Sequence, residues 1–397
     1  MRSLIKKVAA AVLAVVLAAS LCGCDRGYIM TVDGMDIRNG VYLSFLTAAY
    51  SSAYEALDAE KTDDDTSTDS TEETPITKET IEGKSGSQWI KDETMKAVRR
   101  FVAVQRKCNE IGISLTEDEI REINTEITKM WDDENDYLQY LYGFKTMGEY
   151  YEKQGIGQES MRELFSANKL QDKLFMYFYG KGGEFEVKES EIDEYLKENY
   201  ATVKMQSFSF TDAMGTALEE DDDKKAVKDK AQDYANRINN GEKPIDIFYE
   251  YNLSRAQEAA ETRAETEYKE DEGLTKDEWI KKQVEAADIQ KAESEDDLDR
   301  ILSKESSSLD KDVTEHIFNV AADGKATICE TDKGVYLIVR EDITKKNSWK
   351  EDNNEKILNE MKGDAFRNMV DLFGQNYDVT ADESLVNKKY GPEILDP

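Results

Sequence analysis

A single histidine, His316, serves 397 residues, and that scarcity removes much of the usual catalytic apparatus. A Ser-His-Asp relay could run only through it, and it sits in DVTEHIFNV, which reads as a helical turn with no partner indicated. Neither cysteine nor another histidine stands near it at the spacing a metal site requires. Two of the four cysteines fall in the first 24 residues. The remaining pair, Cys108 and Cys329, is too far apart in sequence to suggest a disulfide framework. Cys108 falls on the apolar stripe Ile90, Ala97, Val98, Phe101, Val104 and Ile111, so it reads as a small buried hydrophobe. No serine sits in the glycine-flanked elbow of a hydrolase, and no glycine-rich loop opens a helix to cradle phosphate. GKGG at 180–183 is followed by Glu184 instead and reads as a hinge. The acidic runs lack the alternating ligands and turn glycine of a calcium loop, and DDDTSTD at 63–69 reads as a solvated linker. Basic clusters are missing as well: 52 Lys and Arg face 85 Asp and Glu, for a net charge of −33. Nucleic acid is thereby excluded as a partner. No metal and no cofactor is expected.

What is present begins at the N-terminus. Arg2, Lys6 and Lys7 precede an unbroken run of small apolar residues from Val8 to Leu21, and then comes LCGC. That is the layout of an export signal, and the run is too short for a membrane span, which needs about 20 apolar residues. LCGC resembles the bacterial lipobox, with Leu21 three before Cys24 and small Gly23 just before it. Cleavage after residue 23 would make Cys24 the lipidated N-terminus. Losing the three cations with the signal takes the net charge to about −36.

The rest of the chain alternates ordered patterns with polar stretches. TVDGMDIRNG at 31–40 reads as two short strands around an Asp-Gly turn, followed by a helix carrying Val41, Phe45 and Ala48. Residues 58–88 hold little to bury and read as a disordered insertion. From Trp89 to 179 the period is helical. Two capping boxes, Thr116 with Glu119 and Thr146 with Glu149, mark helix starts, and Ile120, Ile123, Ile127, Met130 and Trp131 form one face. Aromatics crowd 137–151: Tyr137, Tyr140, Tyr142, Phe144, Tyr150 and Tyr151. VKMQSFSF at 203–210 alternates as a strand, and a helix with Val227, Ala231, Tyr234 and Ile238 on one face ends at NNG. KATICETDKGVYLIVRED at 325–342 reads as a hairpin turning at Asp332-Lys333-Gly334. Between them, 256–310 reads as an acidic helical insertion. Ile357, Met361, Ala365, Met369 and Phe373, at every fourth position, mark a closing helix before YDVT.

This order of lipobox, V-D-G-x-x-I, helical region with EIGISLTEDEI, β-rich unit and closing helix resembles the PrsA-type foldase lipoproteins, relatives of the SurA chaperones. The β-rich unit resembles a parvulin peptidyl-prolyl isomerase domain. In that family the last strand carries Thr, two residues, Gly, one residue and then His-Ile-Ile. TDKGVYLIV matches at Thr331 and Gly334 but has Tyr336 at the histidine position. The first strand's histidine position falls on Ser207. The resemblance implies that Phe318 lines the proline pocket, with Thr331 beside it, and that Gly324 is the turn glycine. The family's GGDLG stretch is absent, and the 256–310 insertion stands in its place. Serine and tyrosine can hydrogen-bond each other, which would keep the pocket floor linked in a remodelled form.

These readings add up to a predominantly helical α+β protein. After the signal at 1–23, a helical domain over 24–184 would be completed by a C-terminal helix within 346–397, with a parvulin-like domain at 185–345 inserted between them. The resemblance implies a membrane-anchored extracytoplasmic chaperone or foldase acting on unfolded, newly exported proteins. With both histidines substituted, isomerase activity is expected to be weak or absent, the alternative being an active peptidyl-prolyl isomerase. A solute-binding lipoprotein of an importer would share the export signal, but it needs two α/β lobes, and the helical stretch from 89 to 200 argues against that.

Overall fold

The computed structural model describes residues 27–60, 74–270, 273–305 and 309–396. The export signal, Cys24 and residues 61–73 of the expected insertion lie outside them. Among the described residues no helix is long and apolar enough to cross a membrane. The chain forms two compact units, one of Met1–Glu186 with Lys362–Pro397 and one of Val187–Met361. The second division falls inside a helix, some 16 residues beyond the boundary at 346 that the sequence suggests. The fold is predominantly helical α+β.

In the first unit, β1 (Tyr28–Val32) and β2 (Met35–Arg38) pair antiparallel. Asp33 and Gly34 both take positive φ, 48° and 76°, the backbone of the two-residue turn that Asp-Gly favours. Helix α1 (Asn39–Glu60) follows. Residues 74–88 are folded, against the expectation of a disordered insertion over 58–88. A 3-10 turn at Ile76–Lys78 leads into the short strands β3 (Thr80–Ile81) and β4 (Lys84–Ser85), and Ile76, Thr77 and Ile81 are buried. The polar composition of the segment hid two isoleucines that suffice to dock it. Helix α2 (Gly86–Ile111) then starts hard against that turn. A Cβ on Gly86 would meet the Ile76 carbonyl oxygen at 1.9 Å, so only glycine fits.

Helix α2 buries Ile90, Val98, Phe101, Val104 and Cys108, as its stripe implies. Helix α3 (Glu117–Asp132) opens with the expected box, Thr116 accepting from Glu119 N–H while the Glu119 carboxylate accepts from Thr116 N–H at 2.7 Å. Its buried face is Ile123, Ile127 and Trp131, whereas Ile120 is 47% exposed and lies off it. Helices α4 (Asp136–Tyr142), α5 (Met147–Lys153) and α6 (Gln158–Tyr179) complete the segment. Thr146 caps α5, but Glu149 reaches back to Lys145 N–H, so the second box is only half made.

The second unit runs α7 (Glu189–Asn199), β5 (Tyr200–Ser209), α8 (Asp221–Asn239), α9 (Pro244–Glu267), α10 (Lys276–Ala286), β6 (Arg300–Ser303), α11 (Lys311–Asn319), β7 (Ala326–Thr331), β8 (Gly334–Glu341) and α12 (Asn347–Asp352), then enters α13 (Asn354–Gly374). Its antiparallel sheet has the order β6-β5-β8-β7. Strand β6 corrects the sequence reading, because residues 300–303 are an edge strand of the sheet and not part of an insertion. Strand alternation divides the core in two. Phe208, Phe210, Val335, Leu337 and Val339 pack with Tyr234 of α8 and Phe248 and Tyr251 of α9. Ala201, Val203, Cys329 and Ile338 pack with Val313 and Ile317 of α11 on the other face. At the β7 edge the Asn239 side chain donates to Ala326 O at 2.9 Å and accepts from Ala326 N–H at 3.0 Å. It thus blocks part of an otherwise open ladder.

The C-terminal part of α13 belongs to the first unit, where Phe366 meets Phe175 at 5.3 Å and Arg100 forms a two-bonded pair with Asp371. The buried side chains of α13 are Ile357, Leu358, Phe366 and Val370, and Ala365 of the expected stripe is exposed. Steps of four residues drift about 40° per step around a helix of 3.6 residues per turn, so a strict every-fourth stripe rotates out of the core. Strand β9 (Val379–Ala381) then pairs with β1, giving the order β2-β1-β9. Tyr390 and Leu395 enter the same core, and Asp396 accepts from Tyr50 OH at 3.2 Å and from Thr77 Oγ1. The helical unit is therefore assembled from both ends of the chain.

Candidate functional site

Ser207 and Tyr336, 129 positions apart in sequence, face each other across the β5–β8 ladder. The ladder's alternation can be followed from two bonds, Phe210 N–H to Lys333 O at 2.9 Å and Gly324 N–H to Arg340 O at 2.8 Å. Both make the Ser207–Tyr336 site a non-hydrogen-bonded pair, where opposed side chains lie nearest. Tyr336 also pairs with Cys329 on its other flank. Phe318, from the last turn of α11, packs half-buried against the same cluster as Tyr336. The two strand positions and the pocket aromatic marked by the parvulin resemblance thus meet on one face of the sheet.

The chemistry of that face differs from the expectation in one respect. No hydrogen bond joins Ser207 to Tyr336; Ser207 is exposed at the open end of the face, and Tyr336 lies half-buried among apolar side chains. The pair is held by the backbone ladder alone. Thr331 is committed elsewhere, donating to Gly334 O at 3.2 Å and accepting from Lys333 N–H at 3.3 Å within the hairpin turn. Gly334 is needed there for close approach, since a Cβ would stand 2.3 Å from Phe208 O. Gly324 takes φ 72°, as a turn glycine does.

The histidine that the sequence left without a partner has one. His316 Nε2 lies 3.0 Å from Thr327 Oγ1 on β7, and burial lowers the imidazole pKa, so it is neutral at neutral pH. Thr327 falls on the same strand face as Cys329 by alternation. The available signal was the helix spacing that sets His316 three residues after Val313, a buried residue of α11. Cys329 itself is buried and its thiol pKa is raised by that burial, so it is no ready nucleophile.

Sequence reasoning also missed a buried charge ring near the β5–β6 junction. Lys204 is 2% exposed, and its ammonium bonds Asp299 at 2.7 Å and Glu341. Lys346 bonds the other oxygen of Asp299, then Glu341 at 3.1 Å and Asp296 at 3.2 Å. Burial pulls Lys204 and Lys346 down, but the carboxylates outweigh it and both end above the ordinary lysine value. Burial likewise raises Glu341, and the two lysines outweigh it in the opposite sense. The ring fastens the segment just before β6 to β5 and β8.

In the first unit the aromatic group divides. Tyr142 and Phe144 pack on Tyr150, which packs on Tyr151, which stacks on Trp131 at 6.0 Å. Tyr137 and Tyr140 point outward, 71% and 86% exposed.

No protein family profile and no curated protein matches the chain. Among solved structures it is similar to the crystal structure of PrsA from Bacillus subtilis, at 13% identity, with 93% of this chain and 98% of that one covered and a TM-score of 0.23, below the level at which a shared fold follows.

Proposed function

We propose that the protein is an extracytoplasmic chaperone or foldase, tethered to the membrane by acyl chains on Cys24, that receives unfolded, newly exported proteins. In this reading its sheet-bearing unit is a parvulin-like domain with weak or no isomerase activity. The observation that carries it is the pairing of Ser207 with Tyr336 on the sheet face against which Phe318 packs: these three positions that the resemblance picks out share one face, yet neither strand position holds an imidazole. Turning an Xaa-Pro amide crosses a barrier of about 18–20 kcal/mol, and a catalyst must grip the twisted amide better than the planar one. Such a grip needs a pocket of fixed shape. Here the Ser207 and Tyr336 hydroxyls are not linked and the Thr331 hydroxyl is engaged in its turn, so apolar chain can be bound without favouring the twisted form.

The test assays the full chain twice, for isomerisation of an Xaa-Pro peptide and for suppression of aggregation of an unfolded client. Isomerisation near background with aggregation suppressed is the expected result. A rate near that of an ordinary parvulin, abolished by Phe318→Ala, replaces this reading with an active isomerase, which the position of Phe318 favours. Failure of both removes the reading, since a resemblance does not carry function with it. The anchor has its own check: Cys24→Ala should abolish palmitate labelling and release the protein from membranes, and unchanged labelling would sink the lipid tether.

A further inference from the structure

Residues 133–157 make an excursion between α3 and α6, and its first helix, α4, buries only Leu138. Tyr137, Tyr140 and Leu141, at i, i+3 and i+4, share an outward face beside it and are exposed. The ring contacts of the excursion run through Tyr142, Phe144, Tyr150 and Tyr151, leaving the outward pair without aromatic partners among the described residues. Immediately before them stand Asp132, Asp133, Glu134 and Asp136, all exposed and forming no ion pair among the described residues. Lys129 and Lys145 are close in sequence, yet neither pairs with them.

A tyrosine ring presents a negative face that attracts ammonium and guanidinium groups, while its body is apolar. The unpaired carboxylates beside it attract the same cations. The chain's charge of −33 steers basic segments toward the protein and repels acidic ones. We propose that this face docks unfolded segments in which lysine or arginine alternates with aromatic or aliphatic residues. The proposal rests on the chaperone reading and names the class of client it takes.

Two unstructured peptides of equal length test it by fluorescence anisotropy on the full chain, one alternating Lys with Trp and Ser and one with Glu in place of Lys. Exposed ion pairs contribute modestly, and a few of them together predict about a tenfold preference for the basic peptide at low salt. That preference should collapse near 1 M salt, where screening is nearly complete. Replacing the four carboxylates by Asn and Gln should abolish the preference, and the double variant Tyr137→Ser/Tyr140→Ser should weaken binding of the basic peptide itself. Equal binding of the two peptides, or a preference that survives in both variants, overturns the proposal. Aggregation assays on the same samples separate it from its premise. Clients suppressed without regard to charge would leave the chaperone reading standing and remove this one, and a basic preference lost in both variants without any suppression would do the reverse.

Discussion

Two acidic clusters in this chain look alike as strings of letters and are opposites as structures. Asp299 belongs to a stretch dense in Asp and Glu, yet with Glu341 it closes around Lys204 and Lys346 in a ring in which Lys204 is almost wholly buried. Asp132, Asp133, Glu134 and Asp136 belong to an equally acidic stretch and face solvent. The difference is whether the chain supplies a cation from a distant strand. Where it does, the carboxylates that reach it are drawn partly out of solvent, Asp299 to 11% exposed. Where it does not, they remain available to something outside.

The largest expected effect breaks the first cluster. Lys204→Met removes the central ammonium and leaves Asp299 and Glu341 with Lys346 alone; because the two carboxylates keep one cation and are partly exposed, the cost is about 1–3 kcal/mol, below that of a fully buried pair. Because the chain has two units, a single melting curve would blur the result. Hydrogen exchange at the amides of β5 and β8 reads the right unit, and it should accelerate by about tenfold or more. An acceleration under about fivefold would mean that the ring is incidental.

That ring was illegible in the sequence for a physical reason. Lys204 sits in an alternating strand, Asp299 just before β6 and Glu341 at the end of β8, and only the strand order brings them together. Local signals fared better. The Asp33-Gly34 turn, the Thr116–Glu119 box, the α2 stripe and the strand alternation around 203–210 depend on residues a few positions apart, and each could be read directly. Averages misled where a few residues outweigh many, as Ile76 and Ile81 do within 58–88. At the candidate site the sequence named Ser207, Tyr336 and Phe318, but not that the two hydroxyls would stay unlinked or that His316 would bond Thr327. Those outcomes turn on side-chain direction in the assembled sheet.

A pH titration gives an intermediate effect and sharpens the contrast. The folded pKa of Glu341 lies below its unfolded value, near 4.3. Its contribution is therefore complete above that value and lost as pH falls through the folded one. Lys204 and Lys346 are raised, so theirs is complete below about 10.4 and lost as pH climbs through their folded values. The ring should support the sheet fully from about pH 5 to about pH 10. Glu341→Gln should lower stability at pH 7 yet flatten the loss between pH 5 and pH 3, measured by the same amide exchange corrected for its intrinsic pH dependence. An acid limb as steep as that of the parent would show that other carboxylates carry it.

The smallest effect belongs to the second cluster. Four exposed carboxylates within five residues form no ion pair or side-chain hydrogen bond among the described residues; only Asp136, in the first turn of α4, gains a small favourable helix-end interaction, and their mutual repulsion is screened by water and salt. Replacing all four by Asn and Gln should change the stability of the helical unit by no more than about 0.5 kcal/mol in either direction, read from the exchange of α2 and α6 amides. The same substitution is expected to remove the preference for basic peptides. A loss of more than about 1 kcal/mol would mean that these side chains hold the excursion in shape, and the contrast between a structural and an outward-facing acidic cluster would fail.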